Sequence, residues 1–101
     1  MSERSGRILG LDYGSKTVGV AVCDPLRVTV RGLEIIRRKD ETHLRPTLRR
    51  IAELAREYDV DAVVLGLPLN MDDSEGLRAQ KTLEFRKMLE SRLSVPVIMQ
   101  D

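Results

Sequence analysis

The chain has no tryptophan, one phenylalanine and two tyrosines among its 101 residues. It therefore offers no aromatic platform for stacking single-stranded bases, and if nucleic acid is bound, backbone shape is the expected target. A single cysteine, Cys23, excludes a disulfide framework, and no Cys/His pair has the spacing of a zinc site. Cys23 falls mid-strand and reads as a small core residue. The one histidine, His43, has no second histidine with which to share a metal. An excess of one charge is missing too, since 17 basic and 16 acidic side chains leave a net +1. No apolar run is long enough to cross a bilayer and the N-terminus does not read as a signal peptide. These absences lead to an expectation of a cytoplasmic protein without a membrane partner.

What is present is ordinary for one globular domain, with 42% hydrophobic and 33% charged residues. "RILGLDYGSKTVGVAVCD", Arg7 to Asp24, holds two short apolar runs around a Gly-Ser-Lys turn and reads as a β-hairpin. Val18, Val20 and Val22 share one side of its second strand, with Gly19, Ala21 and Cys23 on the other. Asp12 comes at the end of the first strand, where Gly14 lets the chain turn tightly. A carboxylate there either caps the turn through its own backbone or serves a site. A third strand is expected over Thr29–Arg37, and a helix from about Thr42 to Tyr58. Leu44, Leu48, Ile51, Ala55 and Tyr58 form the stripe of that helix, with Pro46 in its first turn. "AVVLGLPL", Ala62 to Leu69, is an unbroken apolar run that fits a parallel strand buried on both faces. A second helix follows from about Ser74 to Leu93, with Thr82, Phe85, Met88, Leu89 and Leu93 turned inward, and Val95–Met99 makes a last strand.

Three meandering strands followed by alternating helix and strand predict an α/β fold built on a mixed five-stranded sheet of order 3-2-1-4-5. Both crossovers then move in the same direction, and right-handedness puts both helices on one face. The other face carries no helix from this chain, which leads to the expectation of a homodimer through the uncovered sheet face. In this order Asp12 and the loop "GLPLNMD" lie together at the carboxyl ends of adjacent parallel strands, where open α/β sheets place their sites. Charge is distributed unevenly. Arg37, Arg38 and Lys39 cluster, and Arg45, Arg49 and Arg50 follow on the first helix. That stripe reads either as a phosphate-binding surface or as a solvated helix face.

"ILGLDYGSKTVGVAVCDP" followed by "VVLGLPLNMDDSEG" resembles the YqgF family of the RNase H-like superfamily, and the match runs from Arg7 to the end of the chain. The resemblance implies a single RNase H-like nuclease domain over residues 1–101. It also implies a metal-dependent nuclease acting on structured nucleic acid, either precursor 16S ribosomal RNA or branched DNA such as a Holliday junction. Asp12 matches the family's first catalytic carboxylate, a ligand for Mg²⁺ or Mn²⁺. Lys16, in the turn, and Asn70, in the loop at the same edge, become candidate nucleic-acid contacts, as do Arg78 and Lys81 on the second helix. For Asn70 a loop-capping role is the alternative, and for Arg78 and Lys81 simple solvation. Hard divalent cations need several carboxylates, and the family's second acid follows directly on the position of Asp101. On this reading the chain stops one residue short of it, lacks the C-terminal helix of the fold and is inactive by itself. Two other classes remain: a non-catalytic RNA- or protein-binding module of the same fold, and a fragment of an actin-like ATP-binding protein.

Overall fold

The computed structural model of the chain describes residues 5–14, 16–26, 29–37, 44–66 and 75–100, with the side chains of 75–79 excepted. The element order is β1 (Ile8–Tyr13), β2 (Thr17–Asp24), β3 (Thr29–Arg37), α1 (Arg45–Glu57), β4 (Ala62–Gly66), α2 (Glu75–Arg92) and β5 (Val97–Gln100). They build one five-stranded sheet of order β3-β2-β1-β4-β5. β1 is antiparallel to β2 and parallel to β4, β2 is antiparallel to β3, and β4 is parallel to β5.

Period-two alternation decides which face is covered. Leu9, Leu11 and Tyr13, with Val18, Val20 and Val22, point to one side and are buried. Val63, Leu65 and Val97 join them from β4 and β5. Both helices cover this side. α1 contributes Leu48, Ile51, Leu54 and Ala55, and α2 contributes Phe85 and Leu89, all in one continuous core. Leu44 and Tyr58, read as the ends of the α1 stripe, are only half-buried, while Leu54 widens the stripe beyond the sequence reading. Pro46 occupies the first turn of α1, where a missing N–H is harmless. At its other end Asp59 takes a left-handed conformation (φ 50°). The Asp59 and Val60 amides donate back to the carbonyls of Arg56 and Ala55, and this cap turns the chain into β4.

Two expectations are corrected here. Cys23 is not a core residue: it is half-buried on the helix-free side, because it alternates with Val22. The described part of "AVVLGLPL" is not buried on both faces either. Val63 and Leu65 are buried, whereas Ala62 and Val64 are half-buried, since no helix among the described residues lies over that side. Residues 67–69 of that run lie outside the described residues. The last strand starts at Val97, two residues later than expected: the Val63 amide donates to the Pro96 carbonyl as the first bond of the β4–β5 ladder, and Pro96 has no N–H to extend it further back.

Candidate active site

β1 is the central strand, and its carboxyl end is held from both sides. Tyr13 stacks on Phe85 of α2 on the covered face, with ring centroids 4.1 Å apart and planes inclined by 14°. Just beyond it, the Gly14 amide donates to the Thr17 carbonyl at 2.8 Å and closes the hairpin. Asp12 alternates with Leu11 and Tyr13, so its side chain stands on the opposite, helix-free face and is exposed. It has neither a hydrogen bond nor an ion pair with any described residue.

The strands on either side leave room around this carboxylate. Gly19 of β2 lies directly opposite Asp12. On β4, Gly66 follows Leu65, the partner of Leu11, and so comes next to Asp12. A Cβ placed at Gly19 would meet the Asp12 Cβ at 3.7 Å, and one at Gly66 would meet the Leu11 carbonyl at 3.8 Å. Both are ordinary contacts, so alanine fits, but a longer side chain would crowd the carboxylate. A shallow groove of about 870 Å³ runs across this face, bordered by Asp12, Gly19, Ile35, Arg37, Gly66 and Gln100 among others.

Glu34 also borders the groove, but its register opposite Val20 turns its side chain to the helix side. There it accepts hydrogen bonds of 2.8–3.2 Å from Nε and Nη2 of Arg50. The Arg50 hydrogen bond holds the Glu34 carboxyl below the usual range, and Glu34 and Glu53 together raise the Arg50 guanidinium. The basic stripe of α1 thus lies across the sheet from Asp12, with Arg50 already engaged and Arg45 and Arg49 exposed on the outer side of the helix.

Lys16 is exposed in the hairpin turn. Lys81 is half-buried in the second turn of α2. Arg78 lies one turn earlier, with its side chain outside the described residues, and Asn70 is outside them altogether, as is Asp101. Asp12 is a hard oxygen donor open to solvent and suits one position in the shell of Mg²⁺ or Mn²⁺. No group of three Asp, Glu, His or Cys side chains able to hold an ion occurs among the described residues. Gly19 and Gly66 were not singled out as site residues from the sequence, and Arg37 appeared there only as part of a basic cluster. Counting alternation outward from Asp12 would have found Gly19, but nothing in the sequence puts Arg37 on the face of Asp12.

A family model described as "RuvX: Holliday junction resolvase" matches residues 6–101. A protein of Agathobacter rectalis named "Putative pre-16S rRNA nuclease" is 57% identical over 95 residues, covering 94% of this chain and 66% of the relative. One of the same name from Lachnospira eligens is 50% identical over 95 residues, covering 94% and 68%. The chain spans about two thirds of the length of these curated relatives. Among solved structures, RuvC of Thermus thermophilus in complex with a Holliday junction substrate aligns with a TM-score of 0.68 at 17% identity, over 93% of this chain and 63% of that one. At so low an identity the likeness speaks for the fold alone, and it agrees with the five-stranded sheet and its order. Family match and sequence identity together establish that the chain belongs to the RuvX (YqgF) family of RNase H-like proteins.

Proposed function

We propose that this chain is the Asp12-bearing part of a metal-dependent nuclease that hydrolyses phosphodiester bonds in structured nucleic acid. Precursor 16S ribosomal RNA is the first candidate substrate, after the names of the relatives, and a Holliday junction the second, after the family description. The observation that carries this reading is Asp12 itself, an exposed carboxylate without a partner among the described residues, flanked by glycine on both neighbouring strands. Its oxygens are free to take a hard cation, and the glycines leave space for a phosphate beside it. When bound, Mg²⁺ or Mn²⁺ supplies an activated water and charge stabilisation on the leaving oxygen. Asp12 would hold that ion from a strand fixed by the Tyr13–Phe85 stack, and the open face would admit the backbone. A single carboxylate cannot hold such an ion, so further oxygen ligands beyond the described residues are needed. Alone, the chain would hold the ion weakly and cleave little.

The apolar part of the helix-free face, around Val30 and Ile98, fits a second copy of the chain. Both side chains are large and well exposed, at 74% and 48%. Family membership sets the actin-like alternative aside. A non-catalytic binding module stays a defined outcome of the test. In the complete protein, Asp12→Asn should abolish Mn²⁺-dependent cleavage of precursor 16S rRNA and of a four-way DNA junction while leaving the fold intact. Cleavage that survives the substitution would remove Asp12 from the mechanism, and binding without cleavage by the unsubstituted protein would favour the binding module.

A further inference from the structure

β3 carries an irregularity that changes what faces Asp12. Along its first half Val30 pairs with Cys23 and Gly32 with Ala21. Between Val20 and Ala21 the register slips by one residue, and beyond it Glu34 pairs with Val20, Ile35 with Gly19 and Arg37 with Thr17. A one-residue slip exchanges the two faces of everything that follows. Had the first register continued, Glu34 and Ile36 would stand on the open face and Arg37 on the helix side. Because of the bulge, Glu34 meets Arg50 behind the sheet and Arg37 stands on the same face as Asp12.

Arg37 is exposed and makes no hydrogen bond or ion pair with any described residue. Asp12, Gly19 and Ile35 form one row across three strands, with Arg37 two residues beyond the end of that row. Two strand spacings across and two residues along place the Asp12 and Arg37 Cα atoms about 12 Å apart. That span brackets about two to four phosphates of one strand, which carries a charge every 3.4 Å or so of helix axis. Between the two residues, Gly19 offers no side chain, so a backbone can lie low on the sheet.

We infer that Arg37 is a phosphate-positioning residue, and that the nucleic-acid strand leaves Asp12 across Gly19 toward β3 on the open face. The inference rests on the nuclease reading and adds to it the direction in which the substrate lies. The outer side of α1, despite its arginines, is then not part of the path.

The test is anisotropy of a fluorescent four-way DNA junction with this 101-residue chain in EDTA, across a salt series, so that binding is read without cleavage. Arg37→Ala should weaken binding roughly three- to tenfold at low salt and reduce the slope of log affinity against log salt by about one. Arg37→Lys should restore most of the affinity, because the charge returns. Gly19→Leu should weaken binding by obstructing the path, and Asp12→Asn should strengthen it by removing a like charge. Arg49→Ala, on the outer side of α1, should change nothing. Unchanged thermal melting of each variant would show that folding is not the cause. An Arg37→Ala chain with wild-type affinity and slope, or a wild-type chain without salt-dependent binding, would overturn the inference. Neither result touches the nuclease reading, which Asp12-dependent cleavage by the complete protein decides separately.

Discussion

Two acidic side chains on neighbouring stretches of sheet show how differently a carboxylate can be placed. Asp12 is exposed and has no partner among the described residues, so Asp12→Asn should change unfolding free energy by no more than about 0.5 kcal/mol in urea titrations. Glu34 is tied to Arg50, and its protonation is coupled to folding. Its carboxyl is held below the ordinary value of 4.5, so the folded chain binds this proton less readily than the unfolded one. The contribution is complete above pH 4.5 and fades as pH falls through the lowered value. The two side chains are 40% and 32% open to solvent, so it is worth no more than about 1 kcal/mol. Glu34→Gln should therefore melt slightly earlier than the parent chain at pH 7 and together with it at about pH 3. A gap that widens on acidification would mean that the pair does not stabilise the fold.

Among the elements, β1 and α2 depend on each other through one aromatic contact. Phe85 is fully buried and its ring lies on Tyr13, so Phe85→Ala removes both the core volume and the stack that fixes the end of β1. The expected cost is about 3–5 kcal/mol, read as a fall in the urea midpoint, whereas Phe85→Leu should cost less. The sheet and its helices were legible because their signals are local. Val18, Val20 and Val22 state a period of two, and Leu48, Ile51 and Ala55 a helical period. Asp12 was legible because the sheet order brings its strand end to the carboxyl edge, and because its surrounding motif is specific. Arg37 was legible as part of a basic cluster, but its face was not, because a bulge is a mismatch between two strands, and neither strand's own sequence states it. Cys23 was legible after all: alternation sets it opposite the valines, and the strand order with right-handed crossovers leaves that face without a helix, which outweighs its small apolar character.

At the scale of the whole molecule, the sheet is half-dressed, with two helices behind it and Val30, Ile35 and Ile98 exposed on or beside the open face at 74%, 63% and 48%. A surface of this kind favours self-association, and sedimentation at micromolar concentration should show a dimer that Val30→Lys with Ile98→Lys returns to monomer. A monomeric parent chain would count against the second copy. The position of β1 in the middle of the sheet has a further effect on time scale. β1 is bonded to strands on both sides, while β3 has a free edge and mostly exposed residues. Amide hydrogens of β1 should thus exchange with deuterium only through near-global unfolding, and those of β3 through local fraying at far lower free energy. Asp12 and Arg37, though neighbours across one groove, then belong to segments with very different opening rates. Junction DNA held at Arg37 should slow exchange in β3 and leave β1 as slow as before: one end of the groove is fixed before the substrate arrives, and the other is quieted by it.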